Sequence, residues 1–127
     1  MQIYKTKGFA RFARSERITD ASLREVIERA ERGLVDADLG GGLIKQRIAR
    51  QGQGKSGGYR TIVAYRVKNR AVFLYAFAKK ERENIEQDEL TELRKIGQNW
   101  LNAPEQTIEE AIDDGDLREV DLDEKEN

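Results

Sequence analysis

Three stretches carry cations at spacings that would let them act together: Lys45-Gln46-Arg47, then Lys55-Ser56-Gly57-Gly58-Tyr59-Arg60, then Lys79-Lys80-Glu81-Arg82. From Leu43 to Ala49 the residues alternate as in a strand, which puts Lys45 and Arg47 on one face and Ile44, Gln46 and Ile48 on the other. A flexible loop, Gln51 to Gly58, leads into a β-rich run over Tyr59–Val67 and sets Arg60 beside Arg47 if the two strands are antiparallel. A second β-rich run, Ala71–Lys79, is joined to the first by Lys68-Asn69-Arg70, a polar link in which Asn tolerates a left-handed turn. That hairpin returns Lys79 and Lys80 to the edge of the sheet where Arg60 lies. Like charges held this close repel unless an anion joins them. Phosphate is the natural anion, because an arginine fork can grip it with two parallel bonds. Isolated lysines are usually solvated loop charges. Recurrence of several cations at one end of one sheet argues for an anion-binding patch.

The chain has no cysteine and no histidine. Disulfides and thiolate metal sites are excluded, as are the usual general base and every Ser-His or Cys-His nucleophile. Any catalysis must therefore draw on Lys, Arg, Tyr, Asp or Glu, and neither cofactor nor metal is expected. Gly54-Lys55-Ser56 resembles the end of a phosphate-cradling P-loop, but the glycine required five residues earlier is Ala49. A strand follows in place of a helix, so no helix N-terminus is available to a nucleotide phosphate.

The 127 residues fit one domain, expected over 1–122, with 123–127 a frayed tail. The net charge of −1 conceals an asymmetry: residues 103–127 hold 11 acidic and 2 basic side chains, leaving the rest strongly basic. Nothing resembles a signal peptide and no apolar run approaches the ~20 residues that span a bilayer, so a cytoplasmic protein without membrane contact is expected. The longest apolar run, Ala71 to Ala78, suits a buried strand.

Around the cations, Gln2–Lys5 reads as a strand. A short helix follows with Phe9, Phe12 and Ala13 apolar and Arg11, Arg14 and Arg17 basic at three-residue steps. A helix from Asp20 to Arg32 would bury Leu23, Val26, Ile27, Ala30 and Leu34, with a capping box at Ser22–Glu25 and Gly33 as its stop. Gly40-Gly41-Gly42 marks a bend. Another helix over Gln87–Leu101 would bury Leu90, Leu93, Ile96 and Trp100. Pro104 opens a last one over Glu105–Asp114, stopped by Gly115, and Leu117, Val120 and Leu122 suit a final strand. Phe73, Tyr75 and Phe77 read as one core-facing row, with base stacking a second option, and Tyr59 and Tyr65 are open in the same way. The fold class is α+β, with helices packed on a small antiparallel sheet.

Lys45-x-Arg47, Gly52-x-Gly-Lys-Ser-Gly-Gly-Tyr-Arg60 and Phe77-Ala-Lys-Lys-Glu-Arg82-Glu-Asn-Ile85 resemble the RelE toxin superfamily, in the branch that holds HigB-type and phage-derived toxins. The resemblance runs over about residues 1–122. It implies a RelE/ParE-like fold with N-terminal and C-terminal helices on the sheet, a neighbouring antitoxin (a helix-turn-helix protein), and cleavage of mRNA on the ribosome. Attack of the ribose 2′-hydroxyl on its own 3′-phosphate needs only orientation, proton removal and charge stabilisation. Arg60 and Arg47 are expected to clamp the phosphate, Lys45 or Lys55 to act as base if neighbouring cations lower a lysine from ~10.4, and Lys80 to lie nearer the leaving group. Lys79 and Arg82 are expected to bind RNA, as are Arg11 and Arg14 unless they only solvate their helix. Glu81 and Glu86 are alternative bases, though helix-entry carboxylates are commoner. A tyrosine that some relatives carry before the final helix has no match in Asn84-Ile85-Glu86. The acidic run with Glu109, Asp113, Asp114 and Asp116 could fold across the basic patch. The competing readings are a ParE-like inhibitor of DNA gyrase and a non-catalytic binding protein.

Overall fold

The computed structural model describes residues 1–50 and 54–121. Its elements run β1 (Gln2–Thr6), α1 (Lys7–Ser15), α2 (Asp20–Glu31), β2 (Ala37–Gly40), β3 (Leu43–Arg50), β4 (Gly54–Arg66), β5 (Arg70–Ala78), α3 (Gln87–Asn102), α4 (Glu105–Asp114) and β6 (Leu117–Glu119). The strands form one six-stranded sheet in the order β2-β3-β4-β5-β1-β6. The class is α+β as expected, but the sheet is mixed: β1 inserts beside β5 and runs parallel to it. Two further differences lie at the elements. Ala37–Gly40 forms a strand where only a bend was expected, because residues 40–42 turn tightly enough to make a β2–β3 hairpin. β4 begins at Gly54, which pairs with Arg50, and after a register shift regular pairing resumes at Tyr59 opposite Ile48.

Alternation along the strands divides the core in two. Ile3, Ile44, Ile48, Tyr59, Val63, Ala71 and Phe73 face α1 and α2, where they meet Phe9, Ala13, Leu23, Val26 and Ile27. Tyr4, Leu43, Ile62, Ala64, Val72, Leu74 and Leu117 face α3 and α4, against Leu90, Leu101, Ile108 and Ala111. The N-cap of α2 is Thr19, whose hydroxyl accepts the Ser22 N–H at 3.1 Å, so the capping box expected at Ser22 does not form. Gly33 ends α2 in the left-handed region, with its N–H on the Ala30 carbonyl and that of Leu34 on the Arg29 carbonyl. Leu34 lies beyond that turn, where helical periodicity no longer applies, and is exposed rather than core.

Helix α3 is positioned at three points. At its C-terminal end Arg66 donates to the Leu101 carbonyl at 2.8 Å, and the buried Arg70 donates to the carbonyls of Trp100 and Ala103 at 2.8 and 2.7 Å. Cations there satisfy orphan carbonyls and complement the helix dipole. Midway, Arg94 and Gln98 donate to the carbonyls of Leu39 and Gly41 at the β2–β3 turn. Gly97 lets the helix descend onto Leu43, Ala64 and Leu74. The helix touches the sheet along Leu90, Gly97 and Leu101, which turns Ile96 to the flank, exposed where burial was expected.

At the open end of the sheet β3 and β4 approach very closely: a Cβ on Gly58 would overlap the Ile48 carbonyl oxygen. Gly58→Ala should cost about 1–3 kcal/mol through forced strand separation. Urea unfolding of the two proteins measures it, and equal midpoints would contradict the stated contact.

Candidate functional site

Strand register assembles the candidate side chains into two rows. Lys45 pairs with Ile62, which pairs with Tyr75; one step further out, Arg47 pairs with Arg60, which pairs with Phe77. Residues directly opposite share a face, and alternate residues along a strand share it too. Both rows therefore look out on the α3 side, at the end of the sheet near the helix's first turn. Convergence of Arg47 and Arg60, expected from the sequence, is what the register gives. Lys79 and Lys80 follow at the same end, where the Lys79 N–H reaches the Gly58 carbonyl at 3.1 Å, and both side chains are exposed.

The aromatic row expected on β5 does not form. The register slips between Ile62 and Val63, so that Val63 pairs with Phe73 and Leu74 is the extra residue of a bulge. Leu74 and Tyr75 consequently point to the same side. Phe73 stays in the core under α1, with its ring 5.0 Å from that of Phe9, whereas Tyr75 and Phe77 turn to the α3 side. No local sequence signal announces a bulge of this kind, which is why Tyr75 escaped the sequence reading as a site residue. Tyr59 belongs to the opposite core, where its hydroxyl donates to Glu16 at 2.7 Å. Tyr65 is partly buried on that same side.

The arginines differ sharply in how they are satisfied. Arg60 is partly buried, and its Nη1 is enclosed with no hydrogen-bond partner among the described residues. A buried donor left unpaired is costly, so this guanidinium is suited to receive an anion. Arg47 is half-exposed and leans over the sheet edge, its Nε 3.5 Å from Asp36. Asp36 also accepts the Arg47 backbone N–H at 2.7 Å, and Arg29 donates to the Arg47 carbonyl at 2.5 Å. Lys45 reaches Asn84 at 3.3 Å, tying β3 to the segment before α3.

Arg82 is the most heavily engaged cation. It makes a two-pronged contact to Glu89 at 2.7 and 3.2 Å, donates to the Asn84 carbonyl at 3.0 Å and lies 3.4 Å from the Tyr75 hydroxyl. Its guanidinium also stacks over the Phe77 ring, 5.4 Å from the centroid. Donation to the Glu89 carboxylate pushes the Arg82 pKa further up, and the same contact, aided by the Glu86 N–H, holds the Glu89 carboxyl below the usual range. Glu86 and Glu89 form the capping box of α3. Glu86 is thus a helix-entry carboxylate, and Glu81 is an exposed turn residue. Glutamate is not among the usual N-cap residues, so this cap carries no ordinary sequence signal.

Other candidates lie elsewhere. Arg11 and Arg14 are exposed on α1, on the opposite side of the sheet from both rows. Lys55 lies on β4, but its side chain falls outside the described residues, as do residues 51–53 of the loop and the expected tail. The acidic helix α4 does not cross the patch. It is held over β6 by Ile108 and Ala111 and anchored at Glu105, 3.0 Å from Arg70 at the far end of β5. Among the described residues no cluster of His, Cys, Asp and Glu could hold a metal ion, and no helix is long and apolar enough to cross a membrane.

Fold and site together define a small α+β protein with a cation-rimmed face at one end of its sheet. Residues 1–120 match the RelE toxin of RelE/RelB toxin-antitoxin systems, and the chain belongs to that family. It is a toxin of that kind, and an antitoxin is its implied partner. A search among curated proteins finds no match.

Because Glu89 has a depressed pKa in the folded protein, its ion pair is fully formed above the unfolded carboxylate value of ~4.3 and weakens as pH falls through the folded value. An NMR titration should place the Glu89 midpoint below ~4.3 and move it up toward that value in Arg82→Ala, where the Glu86 N–H bond remains. A wild-type midpoint at or above it would contradict the assigned pairing.

Proposed function

We propose that this toxin is a metal-independent endoribonuclease of the HigB-like branch that cuts mRNA on the ribosome. The observation that carries the reading is Arg60: it stands at the centre of the outer row, beside Lys45 and Tyr75 of the inner one, with one guanidinium nitrogen buried and unpartnered among the described residues. A phosphodiester seated there would satisfy that donor and offset the repulsion between Arg60 and Arg47. The ribose 2′ oxygen attacks its own 3′-phosphate in line, giving a 2′,3′-cyclic phosphate and a free 5′-hydroxyl. Arg60 and Arg47 stabilise the charge that builds on the phosphate oxygens. Lys45, one row inward on the β3 side, accepts the 2′ proton as a neutral amine, with Lys55 the alternative. Lys79 and Lys80 border the β5 side and hold the RNA backbone beyond the leaving group.

The remaining cations take other parts. Arg82 is committed to Glu89, so its contribution to RNA binding is through the segment it holds more than through its own charge. Arg11 and Arg14 lie behind the sheet and would meet ribosomal RNA, not the cleaved strand. Cytoplasmic residence and a helix-turn-helix antitoxin complete the reading.

Arg60→Ala should lower single-turnover cleavage of ribosome-bound mRNA by about 100-fold or more while leaving the unfolding midpoint near wild type. Undiminished cleavage by the variant would refute the site. Inhibition of gyrase supercoiling by a wild-type protein that leaves mRNA intact would refute the reaction.

A further inference from the structure

The nuclease reading supplies a phosphate clamp and a base but no group to protonate the departing 5′ oxygen. We propose that Tyr75 is that group, a catalytic general acid. The assignment rests on the nuclease reading and on four observations of geometry. The bulge at Leu74 turns Tyr75 out of the α1–α2 core and onto the site face. In its row Tyr75 is separated from Lys45 by Ile62 alone. With strands ~4.8 Å apart, acid and base therefore stand about two strand spacings from each other, on opposite sides of the Arg60 column. In-line displacement requires that arrangement, because the attacking and leaving oxygens lie on opposite sides of phosphorus.

The third observation is access. Tyr75 is only partly buried and borders an open depression with Leu93, Asp88, Glu89 and Glu92, so its ring is reachable from solvent, while the three carboxylates keep the RNA backbone itself on the Arg60 side. The fourth is the Arg82 guanidinium, 3.4 Å from the phenol oxygen and immobilised by Glu89 and Phe77. A phenol carries its proton at neutral pH, so it can donate, and a fixed cation beside it stabilises the phenolate that remains. Arg82 itself holds its protons too tightly to serve as the acid.

The step balances as follows. The 2′ oxygen bonds to phosphorus as the P–O5′ bond breaks, and the 2′ proton passes to Lys45. The Tyr75 phenol proton moves to the 5′ oxygen, leaving a phenolate against Arg82 until water restores the proton.

The test compares two mRNAs on programmed ribosomes, one with the ordinary scissile linkage and one with sulfur replacing the bridging 5′ oxygen. A thiolate leaves without protonation, so the acid becomes dispensable. Tyr75→Phe, which keeps the ring, should lose about 100-fold or more on the oxygen substrate and cut the sulfur substrate at the wild-type rate. Equal losses on both substrates would make Tyr75 merely structural and overturn the assignment, as would no loss on either. If wild-type protein cuts neither substrate, the nuclease reading itself fails. Equal unfolding midpoints for wild type and variant separate chemistry from folding.

Discussion

Antiparallel pairing of β3, β4 and β5 is the constraint from which the site follows. Three cations and two aromatic rings share one patch because backbone hydrogen bonds hold their strands in a fixed order and register. Side-chain attraction could not assemble them, since the cations repel one another. The cost is met elsewhere, in the two cores that clamp the sheet from either side. Helix α3 adds the second half of the constraint. Arg66 and Arg70 draw its C-terminal carbonyls toward the hairpin end, so its first turn stops short of the opposite edge. In the outer row Arg47 stays half-exposed and Arg60 partly buried, while Phe77 lies buried beneath the Arg82 guanidinium. Each such cation at a helix C-terminus contributes about 0.3–1 kcal/mol, modest beside the burial of Leu90 and Leu101 but decisive for where the helix ends.

Cations of one formal charge do different jobs according to their partners. Arg82 is matched by a carboxylate, a carbonyl and an aromatic face, which makes it part of the scaffold. Arg47 is half matched, sharing Asp36 with its own backbone. Arg60 retains an unmet donor. The least satisfied of the three thus stands on β4, between the scaffold arginine over Phe77 on β5 and the half-matched one on β3. Counting basic residues would not distinguish these three side chains, whereas their hydrogen-bond partners do.

Much of this was legible in the sequence, for physical reasons. Alternation in Leu43–Ala49 revealed which side chains share a face, and the short polar link at Lys68–Arg70 revealed the hairpin that returns Lys79 and Lys80. Both are local patterns with a fixed period. Helices α2 to α4 were legible from apolar spacing and from Gly33 and Gly115 as stops. What stayed hidden depends on partners distant in the chain. The bulge at Leu74 is set by how β5 packs between two helical layers, so the period-two reading placed Tyr75 and Phe77 with Phe73. The parallel insertion of β1 beside β5 is likewise a tertiary decision. The pairing of Arg82 with Glu89 joins two residues across the turn before α3, and no spacing rule for a single element reveals it.

The β3 edge is guarded against pairing with other copies of the chain. Beyond the reach of β2, the outward N–H of Arg47 is taken by Asp36 and the outward carbonyl by Arg29. Gln46, fully buried, fastens the same stretch inward through the carbonyls of Val26 and Leu34 and the N–H of Asp36. An incoming strand seeking to lengthen the sheet there would have to strip away two charged side chains before gaining a ladder bond. The margin of the sheet is thereby kept from templating aggregation, while the face beside it remains open to ligand.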